Sequence, residues 1–348
     1  MNSNPPIECQ SRRPWKTLRP PRRILLIRFH AVGDVALTLP ASAGLRALFP
    51  STVLDYFTTG PNAELLQSVP IFNRVHTLRS APNKPARILA AAEAAHRISS
   101  ARYDCIIDLQ RNWVSRFIRR TSGAQAWSEF DRFGPRSAHD RTLDTFHRAG
   151  FSDVQPNFKL PVRADCRERA ERMLRNAGVR SGDRLIVLNP SGLWPSRQWP
   201  DEYYHLLARD LSVDPGVAFL FLGTERIAAR IGSLVADQSL RTVNLIGRTT
   251  LGDALAILQQ AHLVISEDSG LLHLAWAAGR PILAIFGSSN HIWSSPPGPS
   301  VTCLHSGDLA CGACMAATCR FGDVHCLRRH DPSSVAALTR TLLHRSVA

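Results

Sequence analysis

The ten residues Val264-Ile265-Ser266-Glu267-Asp268-Ser269-Gly270-Leu271-Leu272-His273 join an apolar run to two acids and two small residues, and a helical stretch follows at once. A helix that begins directly after a strand offers unpaired N–H groups and the positive end of its dipole to an anion. Gly270 lets a ligand approach the backbone, and His273, one turn in, can face the same anion. The plainer reading has Asp268 or Ser269 capping the helix and His273 satisfied in the core.

Three further segments have chemistry-bearing residues at the ends of apolar runs. Asn189-Pro190-Ser191-Gly192-Leu193-Trp194-Pro195-Ser196-Arg197-Gln198-Trp199-Pro200 carries one Arg between two Trp residues, and a guanidinium fork suits a diphosphate. Glu225, after Gly223-Thr224, can accept from both hydroxyls of a ribose, or merely suit a helix start. Arg28-Phe29-His30-Ala31-Val32-Gly33-Asp34 places a carboxylate at another helix start, where it can cap the helix or take a hydroxyl proton. Neither a Gly-Lys-Ser/Thr loop nor GxGxxG is present there, which argues against a P-loop or an NAD site. A fifth cluster, Cys311, Cys314, Cys319 and Cys326, has the spacing of a zinc or iron knuckle with a structural role, or of plain reduced thiols.

The elements that must hold these residues alternate. Strand-like runs at 24–27, 53–57, 75–78 and 105–109 are separated by helical stretches to Phe49, over 62–69, over 86–100 and from Trp113. A second series places strands at 185–188, 217–222, 242–246, 263–266 and 282–286, with helices at 201–211, 225–237, 251–260 and 269–278. Such alternation predicts parallel α/β sheets: two doubly wound, Rossmann-like domains facing a central cleft. Ligands bind beyond the carboxyl ends of such strands. The expected boundaries are a disordered basic arm over 1–21, a first domain over 22–165, and a second over 180–325 that includes the Cys-rich segment 303–326. A C-terminal helix follows over 330–345. The stretch from Ser122 to Pro161 has little pattern.

A formal net charge of +14 points to an anionic partner, although all but three of the 42 basic residues are Arg, as a GC-rich genome would also produce. A phosphorylated substrate or an anionic membrane surface fits this charge. No nucleic acid is expected, since no nucleic-acid-binding signature accompanies it. No apolar run reaches the length of a membrane span, and the N-terminal residues lack the apolar core of a secretory signal. A cytoplasmic protein is expected, peripheral at most to the inner face of the membrane.

Taken together, these segments resemble the lipopolysaccharide heptosyltransferase family, glycosyltransferase family 9. Arg28 with Gly33-Asp34 and Leu39-Pro40 is similar to its N-terminal motif, and Asp108-Leu109-Gln110 to its Asp-x-Gln segment. Asp268-Ser269-Gly270 with His273-Leu274-Ala275, Pro281 and Phe286-Gly287 resembles its most diagnostic block. The resemblance implies a GT-B fold: an N-terminal acceptor-binding domain with Arg28, Gly33 and Gln110 at the acceptor, a C-terminal donor-binding domain, and a last helix crossing back to the N-terminal domain. It implies an inverting, metal-independent transfer of heptose from ADP-L-glycero-β-D-manno-heptose to a lipopolysaccharide core or related acceptor, phosphorylated and lipid-linked or oligosaccharide. Asp34 falls on the family's catalytic base and Glu225 on its ribose-binding Glu. Asp268, Ser269, Gly270 and His273 fall on its pyrophosphate site, and Arg197 stands where the family has a Lys. No cofactor is implied for catalysis. A GT-B transferase or epimerase using a UDP- or GDP-sugar, and a non-catalytic basic anion-binding protein, are the competing readings.

Overall fold

The computed structural model describes residues 12–345 and divides the chain into two compact units. The first comprises residues 1–31, 38–134 and 140–157; the second comprises 32–37, 135–139 and 158–348. Six strands form the sheet of the first unit: β1 (Arg12–Arg13), β2 (Arg23–Ile27), β3 (Val53–Thr59), β4 (Arg74–Leu78), β5 (Cys105–Asp108) and β6 (Ala126–Glu129). Their order is β1-β6-β5-β2-β3-β4, all parallel except β1, which pairs antiparallel with β6. The second unit holds β7 (Arg184–Asn189), β8 (Val217–Phe221), β9 (Thr242–Asn244), β10 (Leu263–Glu267), β11 (Ile282–Ile285) and β12 (Val301–Leu304). Its order is β12-β11-β10-β7-β8-β9, parallel throughout.

Both sheets are doubly wound. The chain moves outward from β7 through β8 to β9, then returns to the other side of β7 and runs outward through β10, β11 and β12. Strand order therefore reverses between β7 and β10, and in the first sheet between β2 and β5. The loops that leave these two pairs diverge and open a crevice at the carboxyl ends of the strands. The central strands are buried on both faces: Ile24–Ile27, Ile186–Leu188 and Leu263–Ile265 are all inaccessible to solvent. This explains why they appear in sequence as continuous apolar runs rather than as alternating patterns.

Three expectations need correction. Residues 1–11 of the basic arm lie outside the described residues, but Arg12–Arg13 is an edge strand rather than disordered chain. Trp15 fixes it there: its backbone N–H donates to Ala149 O at 2.8 Å, and Gly150 packs against its backbone. The weakly patterned stretch after Ser122 contains β6 and the helix Ala138–Arg148. A four-residue strand and a charged helix are too short and too polar to show a period. The second series of strands does not stop at 282–286, since β12 pairs beyond Ile282–Ile285. The helix Pro332–Arg345 packs within the second unit. Val335, Ala336, Leu342 and Leu343 join that unit's core, and Arg340 bonds Asp210 and Asp214 at 2.8 Å. The helix Ala164–Asn176 also belongs to the second unit, where Arg169 reaches Asp253 of the helix Leu251–Leu258 at 2.9 Å.

Gly150 has φ +103°, and a Cβ there would stand 2.5 Å from Trp15 O and 2.7 Å from Trp15 N. Gly150→Ala is expected to destabilise the chain by at least the roughly 1–3 kcal/mol of a strained residue, measured as a lowered denaturant midpoint. An unchanged midpoint would mean that the Trp15 segment does not pack there.

Candidate active site

The crevice between β7 and β10 gathers most of the residues singled out in the sequence. Glu267, the last residue of β10, is fully buried, and its carboxylate accepts from Gly192 N at 2.6 Å and Trp199 N at 2.7 Å. Arg230 donates to both of its oxygens, at 2.9 and 3.0 Å, and also to Pro190 O, Trp199 O and Asp201. Burial pushes the Glu267 carboxyl up from its ordinary value; Arg230 and the two N–H donors oppose the shift. The pair pins both ends of the 190–200 loop to the sheet. Gly192 is required in this arrangement, because a Cβ would meet Arg197 O at 2.5 Å and Glu267 Oε2 at 2.8 Å.

Arg197 is held midway along this pinned loop. Its guanidinium lies 4.0 Å from the centre of the Trp194 ring and donates to Asp268 at 3.0 Å. Asp268 also accepts from Ser289 Oγ at 2.6 Å. Both bonds fall on Oδ2 of Asp268, which aims Arg197. Ser269 is the N-cap of the helix Gly270–Ala277, its hydroxyl accepting from Leu272 N. Asn189 fixes that hydroxyl from the end of β7, donating to Ser269 Oγ at 2.8 Å and Ser266 Oγ at 2.7 Å. The first turn of this helix and Arg197 thus stand at the same strand end, with donors of the kind an anion can meet. At the mouth of β8, Glu225 opens a short 3-10 turn and lies against Gly247, where a Cβ would collide with its carboxylate.

The second unit also takes in Gly33 and Asp34, at the start of the helix Val32–Leu48. A Cβ on Gly33 would stand 2.8 Å from His273 Cδ2 and 3.0 Å from Gly270 Cα, so only glycine allows this approach. Burial lowers the basicity of His273, while the charges of Asp268 and Asp34 act on it in the opposite sense. Asp34, His273 and the Ser269–Gly270 helix start therefore lie within electrostatic reach of one another. The local sequence alone favoured a cap at Asp34 and left His273 open.

Arg28 and Gln110 are occupied inside the first unit. Gln110 Oε1 accepts from Phe29 N at 2.8 Å; Arg28 donates to Leu109 O and, at 3.1 Å, to His30 O. Asp108 is buried beside them, which pushes its carboxyl up to about 6 while N–H groups of Arg111 and Gln110 stabilise its charge. The Asp-x-Gln segment thus shapes the loop that follows β2.

Cys311, Cys314, Cys319 and Cys326 are the residues read in sequence as a zinc or iron knuckle or as plain reduced thiols. All four line one cavity of about 410 Å³, but among the described residues no group of three or more His, Cys, Asp or Glu side chains is placed to hold a metal ion. Burial and the three neighbouring thiols raise Cys326 to about 11, which keeps it protonated rather than a ready thiolate.

A profile of glycosyltransferase family 9 (heptosyltransferase) matches residues 92–325. The chain belongs to that family. It is a glycosyltransferase. Lipopolysaccharide heptosyltransferase 1 of Pseudomonas aeruginosa is 26% identical over 322 residues, covering 86% of this chain and 88% of that protein. A family 9 glycosyltransferase from Veillonella parvula superposes with a TM-score of 0.78 at 21% identity, covering 93% of this chain and 98% of that one. The ADP-heptose lipopolysaccharide heptosyltransferase II of Escherichia coli superposes with a TM-score of 0.74 at 19% identity, covering 94% and 100%. At these identities the structural likeness establishes the GT-B fold.

Sequence reasoning gave Asn189 no role and missed Arg230, which holds Glu267, Ser289, which holds Asp268, and His139, which packs on His273. It read Glu267 only as one of two acids. Their partners lie 21 to 134 positions away, so no local pattern could reveal them. Removing one member of a buried ion pair costs about 3–5 kcal/mol, so Arg230→Ala is expected to lower the melting temperature at pH 8. A carboxyl whose folded-state pKa lies above its unfolded value stabilises the fold below the unfolded value, and this contribution is lost as pH rises through the folded one. The deficit of Arg230→Ala relative to wild type should therefore narrow on acidification toward pH 5. A deficit independent of pH would show that Glu267 is not the group left stranded.

Proposed function

We propose that this family 9 chain moves heptose from ADP-L-glycero-β-D-manno-heptose to a hydroxyl of a phosphorylated lipopolysaccharide-core acceptor, with inversion and without a metal. The observation that carries this reading is the convergence of Asp34 and His273 with the anion site at Ser269, Gly270 and Arg197. A base and a place for a leaving diphosphate lie side by side. The Pseudomonas aeruginosa and Escherichia coli relatives supply the choice of heptose, nucleotide and acceptor class.

In this mechanism the acceptor hydroxyl gives its proton to Asp34 as its oxygen forms a bond to the anomeric carbon. The bond from that carbon to the diphosphate oxygen breaks on the opposite face, and ADP leaves with the electron pair. Arg197 and the N–H groups of the first turn at Gly270 offset the charge that builds on the diphosphate. Asp268 and Trp194 hold Arg197 in place for that role, and Glu225 accepts from the ribose hydroxyls. Arg28 and Gly33 border the acceptor, with Gln110 supporting the loop that carries them. Acceptor delivery is peripheral: among the described residues no helix is long and apolar enough to cross a membrane, and the chain's positive charge favours an anionic surface.

A general base contributes about 10²–10⁴-fold. Asp34→Asn is therefore expected to lose turnover by that factor while calorimetry finds its ADP affinity near that of wild type; undiminished turnover would remove Asp34 from the mechanism. Arg197→Ala should bind ADP at least tenfold more weakly, the effect of losing about 1.4 kcal/mol. Wild-type affinity in that variant would move the diphosphate elsewhere. Titrating the wild type with UDP and GDP beside ADP checks the donor, which selective binding of either would change.

A further inference from the structure

His139 is buried in the second unit, yet neither of its ring nitrogens meets a hydrogen-bond partner among the described residues. Its ring stands edge-on to Trp276, with centroids 4.3 Å apart and an interplanar angle of 74°, and is tilted against His273 at 5.7 Å. Trp276 cannot satisfy it, because the indole N–H is already donated to Pro297 O at 3.0 Å. Nδ1 of His273 is buried without a partner as well. A buried polar atom left unpaired costs about 1–3 kcal/mol. A phenyl ring would fill the same space between Trp276 and His273 without that cost. A buried imidazole with no protein partner at this place therefore marks a group held ready for a ligand.

The chemistry narrows the ligand. Burial, and the neighbouring His273, favour the neutral ring. A neutral imidazole presents one N–H donor and one nitrogen acceptor. Phosphate oxygens call for donors and positive charge, whereas neighbouring sugar hydroxyls can donate to one nitrogen and accept from the other. The location agrees: His139 packs on His273, which lies one turn into the helix whose N-terminus forms the anion site, within electrostatic reach of Asp34. A sugar about to be transferred is bonded to the diphosphate at one side of its anomeric carbon and attacked from the other, so it must occupy this neighbourhood.

We propose that His139 binds hydroxyl groups of the sugar being transferred, and so distinguishes the intact donor from the bare nucleotide. This assignment rests on the donor reading given above. It makes His139 a specificity residue for the sugar, separate from the groups that hold ADP.

Calorimetric titration of wild type, His139→Phe and His139→Gln with ADP and with ADP-heptose tests the assignment. In His139→Phe the affinity for ADP should stay within about twofold of wild type, while that for ADP-heptose falls roughly tenfold or more, as expected for losing a buried hydrogen bond. His139→Gln, which keeps a donor and an acceptor, should recover part of the difference. If His139→Phe does not fold, the ratio of ADP-heptose to ADP affinity in His139→Gln is the quantity read, and it should fall below that of wild type. A ratio unchanged in the folded variants, or equal losses for both ligands, overturns the role of His139 while leaving the donor reading intact. Wild-type protein that binds neither ligand overturns both.

Discussion

A carboxylate sealed from water at the end of a central strand must be compensated, and the way Glu267 is compensated organises the crevice between β7 and β10. Its two oxygens take a guanidinium fork and two backbone N–H groups, all from the same side of the crevice. Because those partners belong to the 190–200 loop and to Arg230, the loop cannot drift from the sheet without exposing a buried charge. Arg197 inherits its position from this constraint, as does the Trp194 ring beneath it. A flexible loop would leave Arg197 with several rotamers to lose on binding; here much of that ordering is complete before a ligand arrives.

The electrostatics of the site are correspondingly economical. Two helices, Val32–Leu48 and Gly270–Ala277, bring their N-terminal ends together at Gly33 and Gly270, where a Cβ on Gly270 would stand 3.5 Å from Gly33 N. Their dipoles contribute positive potential without any side chain. One guanidinium, partly balanced by Asp268, supplies the formal charge. The imidazoles of His139 and His273 are kept from charging by burial, so they add polarity rather than net charge. A site built this way favours an anion while leaving its uncharged portions readable by neutral hydrogen-bonding groups.

The parts of this arrangement that were legible in sequence are those that depend on neighbours along the chain. Strand, turn and helix start follow one another at Ser266–Gly270 and at Val32–Asp34, so the apolar run, the small residues and the acid appear together. The helix at 201–211 could be read to its ends because its period is clear. What could not be read depends on distant partners. Nothing near Arg230 shows that it neutralises Glu267, and nothing near His139 shows that it will lie against Trp276. The four cysteines, grouped by spacing in the sequence, line one cavity, where the other three thiols act on Cys326. The two-residue strand at Arg12–Arg13 was hidden because its signal is a single Trp in a basic stretch, and its partner β6 lies more than a hundred residues on.

The reversal of strand order between β7 and β10 also has a kinetic meaning. The hydrogen bonds that build the site close very long loops: Asn189 to Ser266 spans 77 residues, Gly192 to Glu267 spans 75, and Arg197 to Asp268 spans 71. Contacts of such separation carry a large closure entropy and form late, after the local strand–helix units have been made. The crevice is therefore the seam along which the two halves of the second sheet are joined. A chain emerging from the ribosome has no anion site until β10 has docked on β7, and once that docking occurs the site and the centre of the sheet arise together. Binding competence thus reports that β10 has docked on β7.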